Sequence, residues 1–172
     1  MADETSPPQR DAFLAAMRRA ASLVSVVSTG APHARRALTV GSFASVSADP
    51  PLVSVCIRAT SPMCAALEDH THFTVHVLGE DHAHVADTFA GRPPEGTPYD
   101  FDCASWIDRG DGREPSLEDA AIVVDCLRLD AIALGSHRLF VGEVTDVETS
   151  GAMPLLYFDR DYCVPLVRTA GR

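Results

Sequence analysis

Residues 121–147, AIVVDCLRLDAIALGSHRLFVGEVTDV, contain the pattern that decides the fold class. Two long runs rich in β-branched and apolar residues, 121–134 and 138–147, are separated only by Gly135, Ser136 and His137, which predicts a long β-hairpin. Shorter runs of the same character predict further strands at 23–28, 37–40, 52–57 and 73–78, with a last strand pair near 155–157 and 163–166.

Helical spacing is limited to three short segments, at 9–21, 61–67 and 81–89. Several strands, few helices and no regular alternation between them favour an antiparallel barrel over a doubly wound fold. Residues 1–8 are polar and rich in proline, so we expect a disordered leader followed by a single domain over 9–172.

The charge and the cysteine content restrict the class of protein. The formal net charge of −10 argues against nucleic-acid binding, because an acidic surface repels phosphodiester backbones. No apolar run has the length needed to span a bilayer. The five cysteines are an odd number without a CxxC pair, so we expect a reducing compartment, the cytoplasm.

The stretch 38–52, LTVGSFASVSADPPL, places small and hydroxyl residues beside a strand and ends in a proline turn. Together with 73–78, Trp106, 135–144 and 154–157, in that order, it resembles the short-chain flavin reductases that supply two-component monooxygenases. The resemblance implies a mainly β fold with a few short helices, an antiparallel Greek-key split β-barrel, assembled as a homodimer.

The same resemblance implies a function. Such a protein is an NAD(P)H:flavin oxidoreductase: it takes hydride from NADH or NADPH, reduces FAD or FMN, and releases reduced flavin to a flavin-dependent monooxygenase. Two alternatives stay open, a flavin-binding sensor or carrier without turnover and a flavoprotein that reduces another acceptor. The choice between NADH and NADPH also stays open, because Arg58, Arg138 or Arg160 could contact the 2′-phosphate.

The flavin ring is expected at Thr39, Val40, Gly41 and Ser42. Small residues let backbone N–H groups approach the ring edge, where charge builds on reduction, and the two hydroxyls can bond its polar rim. We expect 43–46 to anchor this segment in the core and 49–51 to set a turn.

The flavin phosphate is expected at Ser61, where a hydroxyl precedes a short helix with free N–H groups. Met63 stands where relatives usually carry a second hydroxyl, so we expect fewer hydrogen bonds to the phosphate here. Arg36, preceded by Arg35, is a candidate for the phosphate, and His82 is a candidate flavin contact.

His137 is the residue that the resemblance places near the nicotinamide. Hydride transfer between two cofactors needs no side-chain acid or base, so we expect His137 to orient rather than to move protons. We predict no metal site, because the histidines lack HxxxH, HExxH or Cys–His spacing. His76 is expected to be a hydrogen-bonded structural histidine.

Overall fold

Twelve strands and three α-helices make up the fold in this computed structural model, which describes residues 7–30, 34–110 and 113–166. The helices are α1 (Pro7–Arg18), α2 (Pro62–Asp69) and α3 (Ala83–Phe89), with a 3-10 turn at Phe101–Cys103. The strands are β1 (Ser22–Leu23), β2 (Ser25–Thr29), β3 (Arg36–Val40), β4 (Ala44–Ala48), β5 (Pro51–Arg58), β6 (His72–Val77), β7 (Trp106–Ile107), β8 (Ser116–Leu117), β9 (Ile122–Leu134), β10 (His137–Thr149), β11 (Leu156–Phe158) and β12 (Asp161–Cys163).

The main sheet has seven strands in the order β3-β2-β6-β9-β10-β5-β4, and every neighbouring pair is antiparallel. The predicted hairpin is confirmed as β9 and β10, whose two-residue turn contains Gly135 at φ +56°. His137 pairs with Leu134 on one side and with Arg58 on the other, so it begins β10 instead of belonging to the connection. Small sheets β1-β11-β12 and β7-β8 complete the architecture.

The main sheet curls until its first and sixth strands share one core. Val40 of β3 and Val55 of β5 are both buried in a cluster that also receives side chains from the strands between them. Helix α2 covers this core with Met63 and Leu67. The curvature brings the end of β3 beside β5, and this neighbourhood contains the candidate site.

A second core lies on the opposite face of the same strands. Adjacent residues alternate between the two cores, as pleated strands require: Val27 faces the first core and Val26 the second. Helix α3 covers the second core with Val85 and Phe89. The segment after α3 adds Leu117 of β8 and two partly buried aromatic residues, Phe101 and Trp106.

Most of the predicted elements are confirmed, with shifts of a few residues at their ends. Helix α1 begins at Pro7, and residues 1–6 of the expected leader lie outside the described residues. Strand β4 was not predicted. Phe43 packs against the first core as expected, but Val46 is 55% exposed, because β4 is an edge strand with one face in solvent.

Candidate functional site

The predicted ring contacts converge on one cavity at the end of β3, named here the central cavity. It has a volume of about 350 Å³, and all four residues 39–42 line it together with His137. Leu38, Cys56 and Arg58 complete its lining. His137 is 95 residues beyond Ser42 in the chain, and the curl of the main sheet is what brings them together.

The wall formed by β3 offers backbone groups to a ligand. Among the described residues, strand β3 is an edge strand that pairs only with β2, so one row of its N–H and C=O groups has no strand partner there. Gly41 follows directly, and a Cβ there would lie 3.0 Å from the Ser22 hydroxyl. The missing side chain therefore allows the close packing at this corner.

The hydroxyl protons of Thr39 and Ser42 are used within the protein, so these two side chains can meet the flavin rim only as acceptors. The expected contact with the flavin stays a prediction. Thr39 Oγ1 donates to the Ala86 carbonyl over 2.7 Å and so fixes α3 to β3. Ser42 Oγ accepts from Cys56 N–H over 2.9 Å and donates to the Cys56 carbonyl over 3.1 Å. Both side chains hold the wall in place, and the backbone remains the principal hydrogen-bonding surface.

His137 lies half-buried at the opposite side of the central cavity. Its Nδ1 is 2.9 Å from Ser136 Oγ, the one hydrogen bond of this ring among the described residues. Arg58, its neighbour across the β5–β10 pairing, is exposed at the same cavity. Of the three arginines considered for a 2′-phosphate, Arg58 is the one at this cavity, whereas Arg138 is paired with Glu68.

A second cavity, the arginine cavity, adjoins the first and shares Leu38 with it. Its volume is about 260 Å³, and it unites Arg35 and Arg36 from β3 and its approach with Ser61 and Tyr99. The predicted phosphate contacts Arg36 and Ser61 are thus brought together, one cavity away from the predicted ring contacts.

The start of α2 offers fewer donors than expected. Ser61 is the N-cap, and its hydroxyl accepts from Met63 N–H over 3.2 Å. Pro62 has no N–H, and Cys64 N–H donates to the Ser61 carbonyl over 2.9 Å. The expected free helix N–H groups are therefore used within the helix, and Met63 is buried in the first core. The Ser61 hydroxyl proton remains for a ligand.

Arg35, the other member of the basic pair noted in the sequence, is more buried than Arg36. Its guanidinium carbon lies 4.3 Å from the centre of the Phe101 ring and 5.6 Å from that of Trp106. Its Nη1 is buried and has no hydrogen-bond partner among the described residues. Burial raises the pKa of Glu114 and the nearby charge of Arg35 opposes that shift, so Arg35 already has an anionic neighbour. The exposed Arg36 guanidinium and the Ser61 hydroxyl are the donors of the arginine cavity that fit a phosphate.

Comparison with known proteins decides the family. The family described as "Flavin reductase like domain" matches residues 17–165. The chain belongs to this family. An FMN reductase (NADH) RutF 1 of Methylorubrum extorquens is 38% identical over 91% of this chain and 77% of its own length. The reductase component of 4-hydroxyphenylacetate 3-monooxygenase of Thermus thermophilus is 36% identical over 89% of this chain and 95% of its own length.

The expected fold is confirmed by a solved structure of the same family. The flavin reductase PheA2 in its native state matches with a TM-score of 0.81 and 29% identity, over 91% of this chain and 98% of that chain. The antiparallel strands, short helices and split-barrel architecture inferred from the sequence therefore agree with the structure.

One predicted contact of this flavin reductase-like domain lies apart from the others. His82 is the N-cap of α3, and its Nδ1 accepts from Gly79 N–H over 3.2 Å. It lines neither the central nor the arginine cavity. Burial, followed by the neighbouring His84, lowers the pKa of His82. Its position favours a structural role at the start of the helix.

His76 is a structural histidine, as expected. Leu117 N–H donates to Nδ1 over 3.4 Å, so Nε2 carries the proton and donates to Ser28 Oγ over 3.1 Å. The ring also packs edge-on against Trp106 at 5.3 Å. Burial, reinforced by the charge of Arg109, lowers the pKa of His76 to about 3, so it is neutral at physiological pH.

Within residues 7–30, 34–110 and 113–166, no three His, Cys, Asp or Glu side chains are grouped so that they could hold a metal ion. Among the helices there, none has the length and apolar character to cross a membrane.

Proposed function

We propose that this protein is an NADH:flavin oxidoreductase that reduces FAD or FMN by hydride transfer. The observation that carries the proposal is the meeting of residues 39–42 with His137 in the central cavity, beside the arginine cavity. The relative from Methylorubrum extorquens is named an FMN reductase that uses NADH, which supports the same reaction here.

In this mechanism the flavin, when bound, is the hydride acceptor, and the protein positions the two reactants. The free edge of β3 orients the flavin ring through backbone hydrogen bonds. Arg35, Arg36 and the Ser61 hydroxyl hold the phosphate. His137 and Arg58 orient the nicotinamide from the other side of the central cavity. No side chain has to donate or accept a proton in the transfer itself.

We propose further that the reduced flavin passes to a partner monooxygenase. The Thermus thermophilus relative is named as the reductase component of a monooxygenase, and a halogenase flavin reductase, BorF, is 30% identical with a TM-score of 0.80. Arg36 and Arg58 are exposed at the two cavities, so a ligand reaches solvent without a rearrangement of the core.

A homodimer is the assembly that we propose. Helix α1 exposes three apolar side chains on one face, Phe13, Leu14 and Met17, with 60%, 38% and 49% of their surface accessible. The tip of the β9–β10 hairpin exposes Leu129, Ile132 and Leu134 as well. Apolar surfaces of this kind mark contacts between chains. A molar mass near twice 18.4 kDa by light scattering supports the proposal, and a monomeric mass contradicts it.

We also propose the cytoplasm as the compartment. All five cysteines are free thiols, Cys56, Cys64, Cys103, Cys126 and Cys163. Free thiols persist where the glutathione pool keeps them reduced. Fractionation of the native host separates this proposal from an extracytoplasmic location.

The deciding experiment measures NADH oxidation with and without added FAD or FMN. We expect flavin-stimulated turnover. Tightly retained flavin without NADH consumption would instead identify a sensor or carrier. Turnover that depends on a ferric chelate or an organic acceptor, and not on free flavin, would identify a flavoprotein with a different substrate.

A further inference from the structure

A third cavity, the tyrosine cavity, lies on the other side of the segment 39–41 from the central cavity. Thr39, Val40 and Gly41 line both cavities. The tyrosine cavity has a volume of about 230 Å³ and is closed by Arg92, Tyr157 and Tyr162. Only the segment 39–41 separates a ligand group bound in this cavity from a group bound in the central cavity.

The two tyrosines form a fixed aromatic wall. Their ring centres are 5.5 Å apart and their planes cross at 62°. The Tyr162 hydroxyl donates to Asp87 Oδ1 over 2.8 Å, which ties the β11–β12 hairpin to α3. Burial and the Asp87 carboxylate raise the pKa of Tyr162, so the phenol stays neutral and keeps this bond. Such a wall suits a flat heterocycle.

Arg92 brings a positive charge to the same cavity. Its side chain is exposed, and its backbone N–H donates to the Asp87 carbonyl over 2.9 Å. Asp87 thus fixes the Tyr162 ring through its side chain and the Arg92 backbone through its carbonyl. An aromatic wall and a guanidinium in one small cavity are complementary to a purine that carries phosphate.

We propose that the tyrosine cavity binds the adenosine monophosphate half of a dinucleotide whose other half lies in the central cavity. The inference rests on the proposed function, which supplies the dinucleotide. FAD and NADH both carry this group, whereas FMN and reduced nicotinamide mononucleotide do not. Comparing the full dinucleotides with these truncated forms therefore isolates the contribution of the tyrosine cavity and identifies which ligand uses it.

Two variants and two matched controls test the proposal. Tyr157→Leu keeps apolar bulk and removes the aromatic face, and Phe158→Leu is its control, on the same strand and the opposite face. Arg92→Gln removes the charge, and Arg10→Gln makes the same change on α1. Far-UV circular dichroism and a urea titration establish that all four fold.

The first measurement is calorimetric binding of adenosine monophosphate (AMP) to the protein without flavin or nicotinamide. We expect Tyr157→Leu and Arg92→Gln each to weaken AMP binding about tenfold, the size of one lost stacking or charge-assisted contact. The two controls should bind AMP like the parent protein. If the parent fails to bind AMP, or if the variants bind it as the parent does, the proposal is overturned.

The second measurement is the Michaelis constant of each substrate. A raised KM for FAD with an unchanged KM for FMN assigns the cavity to FAD. A raised KM for NADH with an unchanged KM for reduced nicotinamide mononucleotide assigns it to NADH. Equal effects on full and truncated substrates, or no effect on any of them, overturn the proposal. Absence of turnover in the parent protein would overturn the proposed function instead, and the AMP measurement would still stand.

Discussion

The hydroxyl of Ser42 is hydrogen-bonded twice to the backbone of Cys56, as an acceptor from its N–H and as a donor to its carbonyl. The pairing of β4 with β5 ends where Ala44 meets Ser54, so Cys56 has no β4 partner. Ser42 takes the place of that partner. The bond pair also holds the segment 39–42 against β5, and so fixes the shape of the central cavity.

Ser42→Ala should therefore lower the free energy of unfolding. Two half-buried backbone groups lose their partner at once, and we expect a cost of about 1–3 kcal/mol. Urea denaturation measures it, with Ser45→Ala on exposed β4 as the control. We also expect a raised KM for flavin, because the segment 39–42 is no longer held against β5. A stability equal to that of the parent would contradict this role.

Replacing His137 should reduce turnover only moderately. We expect His137→Asn to lower kcat/KM for NADH by about tenfold, well below the hundredfold or more typical of a lost general acid or base. The loss should appear mainly in KM, since the ring orients the nicotinamide. His84→Asn, at an exposed position of α3, is the control. A thousandfold loss of kcat, on the order expected for proton transfer, would refute the positional role.

Arg35→Met should distinguish phosphorylated from unphosphorylated flavin. The Arg35 guanidinium packs on Phe101 and lies near the charge of Glu114, so the substitution also lowers the free energy of unfolding. The comparison of FMN with riboflavin isolates its effect on phosphate binding. We expect KM for FMN to rise about tenfold, the worth of one charge-assisted hydrogen bond, while KM for riboflavin stays unchanged. Arg113→Met removes an exposed arginine elsewhere and serves as the control. Parallel changes for FMN and riboflavin would place the phosphate outside this cavity.

His82→Ala should leave flavin kinetics unchanged. Its ring accepts one backbone N–H at the start of α3 and lines neither the central nor the arginine cavity. We expect a loss of about 1 kcal/mol in the free energy of unfolding, the usual size of one such bond. Steady-state kinetics and urea denaturation of the same preparation check both statements. An increase in KM for flavin would mean that His82 contacts the flavin after all.

Local patterns predicted those parts of the structure that depend on neighbours in sequence. Ser61 and Pro62 predicted the start of α2 correctly, because the N-cap and the first helical residue are adjacent in sequence to the helix that they begin. The β9–β10 hairpin is equally local. Strand β4 was missed because Val46 and its neighbours are exposed, so the strand depends on pairing with β5 and not on an apolar face.

Several residues that line the central and arginine cavities were named from the sequence, but their hydrogen-bond partners were not. The sequence shows that position 39 has a hydroxyl but not which group it bonds. In the structure it donates to the carbonyl of Ala86, 47 residues away. The same holds for the contact between Ser42 and Cys56. Arg35 was visible in the sequence as the neighbour of Arg36. Its burial against Phe101 and Trp106 depends on the loop after α3, which no local pattern specifies.

His76 should make the stability of the protein depend on pH. Its pKa falls from 6.5 in the unfolded chain to about 3 in the folded protein, through burial first and then through Arg109, against a smaller opposing effect of Asp125. Between those values the unfolded chain binds one more proton than the folded protein does. Stability is therefore complete above the unfolded pKa and is lost as the pH falls, by up to about 1.4 kcal/mol per pH unit.

The variant His76→Asn isolates this contribution of His76. It removes the titrating ring while keeping a polar side chain beside Ser28. We expect the free energy of unfolding, measured from about pH 7 to about pH 5, to fall less steeply in the variant, because most carboxylates stay ionised over that range. The comparison uses the slope and not the absolute stability, which the smaller side chain lowers at every pH. Equal slopes in both proteins would mean that His76 gains a proton without unfolding.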